Sequence, residues 1–172
     1  LYAQQEYKRA SVLYEEAIKN DPELSIAYFY LANSYDNLFK PSRKGEAEND
    51  GYLNKAIEYY KLASEKEQDP TLRKRSFEFL VAAYGPDKMN DPSQQEPIVN
   101  RMIELDPQDA TNYFALAKIR EDAGDYPAAE EVLQRAKTAR PNDPQVYLQL
   151  AGFYNRQEEF DKTIEALNQR AA

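Results

Sequence analysis

Thirty carboxylates are spread over 172 residues, and several stand side by side, as in Glu15-Glu16 and Glu130-Glu131. Paired carboxyl groups are the equipment of general acid–base chemistry. With this many acids on helical stretches, such pairs arise from composition alone and read as solvated helix faces. A second acidic run, Glu46, Glu48, Asp50 and Gly51, resembles the start of a calcium loop. That loop needs a bidentate acid at its twelfth place. Counted from Glu46 the twelfth place is Ile57, which cannot ligate, and calcium is rejected there. Histidine and cysteine are both absent. Their loss removes the commonest general base, the Ser-His pairing, thiolate nucleophiles, disulfides and zinc thiolate sites. No Gly-rich phosphate loop or nucleophile elbow occurs. The expectation is a noncatalytic chain with no cofactor and no metal.

Charge narrows the partners. Thirty acids against 22 bases leave a formal charge of −8. That field repels phosphate backbones, so nucleic acid is not expected as a partner. No Lys/Arg run exceeds Arg73-Lys74-Arg75. No apolar run approaches the roughly 18 residues of a membrane span, and membrane insertion is not expected. The chain begins with Leu1 rather than Met, which reads as a processed or trimmed piece, so a missing targeting segment carries no weight and the compartment is unassigned.

The elements follow from composition and period. Only five Gly, with abundant Ala, Glu, Leu, Lys and Gln, argue for helices and against a turn-rich β fold. The segment Ala110 to Asp143 is a 34-residue unit. Its first half places Tyr113, Leu116, Ala117 and Ile119 on one helical face. Gly124-Asp125 breaks the helix, and the second half places Tyr126, Ala129, Leu133 and Ala136 on one face before Pro141 closes it. The next unit repeats the scheme with Tyr147, Leu150, Ala151 and Tyr154, then Phe160, Ile164 and Leu167. Ala117, Ala129 and Ala136 read as notches; Tyr113, Leu116, Tyr126 and Leu133 read as the bulky residues that fill them. A lone hairpin cannot bury such a face, whereas stacked hairpins share one core.

These residues resemble the tetratricopeptide repeat (TPR) family, whose first helix carries an aromatic, a Leu and a small residue and whose second carries an aromatic, two Ala and a closing Pro. A half repeat at 1–24 holds Tyr7, Ala10, Tyr14, Ala17 and Pro22. Repeats follow at about 25–70 (Tyr28, Leu31, Ala32, Tyr35; Leu53, Ala56, Tyr60, Ala63), 71–109 (Phe77, Leu80, Val81, Tyr84; Val99, Ile103, Pro107), 110–143 and 144–172. The phrases starting at Tyr7 and Tyr126 are thus second helices 119 residues apart, three units of 34 plus 17 inserted residues, about 12 of them between Tyr35 and Ala56. Arg120 departs from the pattern where an aromatic is preferred; Thr163 and Arg170 replace small residues in the last hairpin. Gln95 and Met102 do so in the third unit, whose second helix is expected to pack loosely or sit displaced.

The resemblance implies a single all-α domain, a right-handed superhelical solenoid of about nine or ten helices in antiparallel hairpins. It implies a protein or peptide partner along the concave face lined by first helices, where Phe29, Tyr30, Asn33, Phe79, Phe114, Lys118 and Gln149 are the candidate contacts. Phe29 and Phe114 are expected to be exposed in that groove; Tyr30 and Phe79 are expected to pack between adjacent first helices. The Lys-Asn-Asn-Lys-Arg clamp by which some family members hold a C-terminal carboxylate is absent: Asn33 fits one place, but Phe29, Phe79, Thr111 and Ala115 occupy the others. The insertion Asp36 to Gly51 reads as a mobile, solvated connection, with a projecting binding loop as its alternative. Gly85 to Pro97 reads as a kinked turn whose helix restarts at Asp91-Pro92. Two further expectations stand beside the scaffold reading: a self-assembling module joined through the open solenoid ends, including Arg170-Ala171-Ala172, and an accessory domain of a larger enzyme.

Overall fold

The computed structural model describes residues 2–170, and side chains from Gln4 to Gln169. Leu1, Ala171 and Ala172, and with them part of the open end expected from sequence, lie outside the described residues. Nine α-helices and one 3-10 turn occur among the described residues, with no strand. They are α1 (Tyr2–Asn20), α2 (Ser25–Leu38), the 3-10 turn (Pro41–Arg43), α3 (Ala47–Lys66), α4 (Pro70–Ala83), α5 (Pro92–Leu105), α6 (Ala110–Asp122), α7 (Tyr126–Ala139), α8 (Pro144–Arg156) and α9 (Phe160–Arg170). None of them is long and apolar enough to cross a membrane. The contacts fall into two compact units, Leu1–Gln95 and Glu96–Ala172, called unit 1 and unit 2 below.

Four helix starts are chemically alike. Asp69, Asp109, Asp125 and Asp143 each precede a helix and accept backbone N–H groups from its first turn. Each satisfies donors that have no partner inside the helix. Proline stands in the first turn of α4, α7 and α8, where its missing N–H costs nothing. A second device recurs at the turns. The hydroxyls of Tyr28, Tyr113 and Tyr147 donate to the carbonyls of Pro22 (2.9 Å), Pro107 (3.1 Å) and Pro141 (2.6 Å), each six residues upstream. Each first helix is thereby tied to the proline that closed the previous second helix. In the 71–109 repeat the place is held by Phe77, which has no hydroxyl to donate.

Within each unit the core follows the notch-and-filler scheme. Ala56, Ala63, Ala129 and Ala136 have no exposed surface at all, and Leu31, Leu80, Tyr113, Leu116, Leu133 and Leu150 are buried against such positions. Alanine at these sites lets helix backbones approach closely while the large neighbours supply the apolar area. Two assignments need correction. Tyr126, expected as a filler, is 45% exposed at the first position of α7, where the ring has no preceding helical turn to lie over. Phe160, Ile164 and Leu167, expected in the core, are 60%, 58% and 42% exposed, because no helix among the described residues covers the outer face of α9.

The insertion is solvated over residues 41–48, as expected, but it forms a 3-10 turn and the start of a helix rather than a projecting loop. Part of it extends α3 to 20 residues, and Phe39 is buried beneath the rest. Asn49, itself buried, accepts the Lys40 N–H (2.8 Å) and donates to the Lys40 carbonyl (3.0 Å), closing the loop as a backbone pair would. Gly45, at φ +95°, turns the chain so that its N–H reaches the Asp50 carboxylate at 3.0 Å. The acids once compared with a calcium loop are thus engaged locally: Glu46 with Arg43, and Glu48 with Tyr52 and Lys8. The 85–91 connection is also tied down, through an ion pair between Lys88 and Asp36 that is largely shielded from solvent. We expect Asn49→Ala to lower unfolding free energy by about 1–3 kcal/mol, since it leaves buried backbone groups unpaired. Amides between residues 40 and 49 should exchange faster by native-state hydrogen exchange; a loss under about 0.5 kcal/mol would show that Asn49 does not close the loop.

Candidate interaction groove

The candidate residues of unit 1 do not form one exposed row. Phe29 is 2% exposed and belongs to the core, which corrects the expectation of a groove-facing ring. It lies edge-on to Tyr60 with centroids 5.9 Å apart, and 6.1 Å from Phe79. The reason is the composition of α2, which buries eight of its 14 residues and so has little free face. Phe29 occupies the seam where α2 meets α3 and α4. Phe79 is half-buried and stacks on Tyr60 at 4.9 Å with planes 8° apart. The Tyr60 phenol is buried beneath it, with Asn33 as the nearby polar side chain, and burial drives its pKa well above the usual tyrosine range. Tyr30 remains 41% exposed and stacks on Tyr14 of α1, not between first helices as expected. Asn33 is half-buried and accepts from the Asn37 amide.

In unit 2 the candidates do come together. Phe114 and Lys118 sit one turn apart on α6, and Gln149 on α8 faces both. Gln149 and Lys118 share the lining of a hollow of about 600 Å3 with Glu121, Tyr126 and Arg156. Gln149 and Phe114 share a second, of about 340 Å3, with Thr111, Arg140 and Gln145. Because Gln149 borders both, the hollows form one groove between α6 and α8. Its wall on α8 is mostly amide and its wall on α6 is aromatic and charged. At one end Arg156 reaches across and donates two hydrogen bonds to Glu121, at 2.7 and 2.9 Å. That bidentate contact raises the Arg156 pKa. Lys118 pairs with Asp122 on its own helix. Arg156 and Tyr126 were not among the sequence candidates. Arg156 lies seven residues beyond Gln149, two helical turns along the same face, and that period was the available signal.

Behind the groove, another arrangement ties α8 to α7 and α9. The Tyr154 hydroxyl of α8 donates to Glu130 of α7 at 2.7 Å, while Lys162 of α9 lies 5.0 Å above the Tyr154 ring and 3.3 Å from Glu130. Burial, then the bond to Glu130, pushes the Tyr154 phenol up to about 12. Unit 1 holds the same triad in Glu15, Tyr35 and Lys55, on α1, α2 and α3: Tyr35 donates to Glu15 and Lys55 lies 4.6 Å above the ring. Tyr35 and Tyr154 are equivalent places 119 residues apart. In the 110–143 repeat that place belongs to Arg120, which pairs with Glu96 of α5 and approaches Asp125 at 3.7 Å.

We expect Phe29→Ala to cost about 3–5 kcal/mol of stability, as for a fully buried aromatic ring. Phe114→Ala should cost less than half as much. Comparable losses in paired urea unfolding curves would contradict the assignment of one ring to the core and the other to the groove.

Residues 112–153, from α6 into α8, match the tetratricopeptide repeat family model. The chain is similar in fold to the crystal structure of MamA, with TM-score 0.64 and 17% identity over 96% of this chain and 86% of that one. It is also similar to YrrB, described as a TPR protein with an unusual peptide-binding site, with TM-score 0.60 and 17% identity over 96% of this chain and 77% of that one. A third likeness is to the MamA segment from residue 41 to the end from Desulfovibrio magneticus RS-1, with TM-score 0.59 and 13% identity over 98% of this chain and 93% of that one. No curated protein matches the chain. The chain therefore has the fold of tetratricopeptide repeat proteins and carries a copy of their repeat, recognisable by sequence, at residues 112–153.

Proposed function

We propose that the protein is a noncatalytic interaction scaffold that takes an extended segment of another protein along the α6–α8 groove of unit 2. The observation that carries this reading is the convergence of Phe114, Lys118 and Gln149 on one open groove. A half-buried ring supplies apolar contact area, and side-chain amides satisfy the main chain of an extended segment without demanding a particular sequence. The likeness to YrrB, a protein described by its peptide-binding site, supports the same reading. Phe29 drops out as a contact, and Tyr30, Asn33 and Phe79 of unit 1 are not part of this groove.

The test is capture of partners on the immobilised chain, followed by Phe114→Ala with Gln149→Ala. The double variant should keep its helical circular-dichroism spectrum and lose at least about tenfold in affinity for a captured partner, the loss expected when a contact ring and a satisfied amide are both removed. Unchanged affinity would remove the groove from the account. A second reading, self-assembly, is favoured by the exposed apolar stripe Phe160, Ile164 and Leu167 on α9. It requires a sedimentation coefficient that rises with concentration and stops rising in Ile164→Glu; a monomer at all concentrations rules it out.

A further inference from the structure

The repeats supply an internal control for what Arg120 does. Shifting by 34 residues superimposes Glu96 on Glu130, Arg120 on Tyr154, Asp125 on Glu159 and Ala128 on Lys162. Lys162 contacts both acids of its set, Glu130 at 3.3 Å and Glu159 at 2.7 Å. Arg120 contacts both acids of the preceding set, Glu96 and Asp125. Where the cation stands on the following second helix, the first helix carries a tyrosine whose hydroxyl completes the bridge. Where that second helix carries Ala128, the first helix carries its own cation. In the 25–70, 110–143 and 144–172 repeats one acid of the preceding second helix is thus joined to one positive charge through the first helix.

We propose that Arg120 is a positioning residue: it performs alone the task shared by Tyr154 and Lys162, and the two locks hold α6 and α8 from behind so that the walls of the groove keep their spacing. The geometry favours this role over a chance surface pair. The Arg120 and Glu96 side chains are only 35% and 29% exposed. Arg120 lies two residues beyond Lys118, about 200° round the helix, so it faces away from the groove while its neighbours line it. The Arg156–Glu121 bridge across the groove joins the same two helices from the front. The rear locks fasten α6 to α5 and α8 to α7 and α9, and the front bridge joins α6 to α8 directly. The consequence for a bound segment rests on the groove reading above; the lock itself does not.

The experiment uses the whole chain and needs no partner. Arg120→Ala, Arg120→Tyr, and Arg120→Tyr with Ala128→Lys are compared by amide exchange across α6 and by hydrogen exchange at the Arg156 Nε–H in the groove. Arg120→Ala should raise both rates about three- to tenfold, the scale of a part-shielded ion pair. Tyrosine alone should leave most of that rise. Adding Lys at 128 rebuilds the Tyr154–Lys162 bridge beside Glu96 and should return both rates to within about twofold of the parent, the scatter of measured pair energies. Should Arg120→Ala fail to fold, Glu96→Gln, which removes the same ion pair at nearly constant volume, should show the same rise. Exchange unchanged in whichever of these single variants folds, or a double variant no better than Arg120→Tyr, would overturn the proposal. Because neither readout involves a partner, loss of the groove reading would leave this result standing, and the reverse also holds.

Discussion

The structure depends on alanines that have no surface left to lose. Ala56, Ala63, Ala129 and Ala136 are completely enclosed on the second helices α3 and α7. A methyl group at such a place sets the distance between helix axes. The bulky residues opposite, among them Tyr113, Leu116, Leu133 and Leu150, supply the area withdrawn from water. Neither half of the arrangement is useful without the other, because a cleft without a filler is a void and a filler without a cleft forces the backbones apart. This reciprocity makes each hairpin stable only in the company of its neighbours.

Polar contacts then choose among the packings that alanine and leucine allow. The Tyr-to-Pro tethers set where α2, α6 and α8 begin relative to the helix before each. The Glu–Tyr–Lys bridges, with Arg120 as their one-residue form, set how the far parts of α2, α6 and α8 lie against flanking second helices. Both devices place the hydrogen bond at a tyrosine whose ring is packed and whose hydroxyl is at the edge, so no buried charge stands without a partner. Tyr60 differs: its hydroxyl is enclosed, with Asn33 as the nearby polar side chain, and its ring is held by Phe79 stacked on it and by Phe29 edge-on.

Most of the fold was legible in the sequence because it rests on periodicity, which a sequence states directly. The hairpin at 110–143, its break at Gly124-Asp125 and the restart at Pro92 stand where the residues placed them. What was illegible depended on the third dimension. Phe29 and Phe114 occupy similar places on their helices, and nothing local separates them. One is covered because α2 is closely flanked and Tyr60 and Phe79 fill the seam; the other faces amides and a charge. Asn49 looked like one polar residue in a polar insertion, and only its distance to Lys40 shows it closing a loop. Arg120 looked like a defect in the repeat until its equivalents at 154 and 162 were seen to share its work. Phe160, Ile164 and Leu167 carry the core pattern faithfully, but a pattern cannot say whether a neighbour is present to use it.

The central claim is that enclosed alanines on second helices fix the spacing of the repeats. It is tested most directly by enlarging one of them beside a control. Ala129→Leu should cost about 2–3 kcal/mol or more in unfolding free energy, because the added atoms have no space to enter. Ala128→Leu, one residue away and only half-buried, should stay within about 0.5 kcal/mol of the parent. Equal and small effects at both positions would mean that the hairpins are not held at contact distance by these side chains, and the account given for the fold would be wrong.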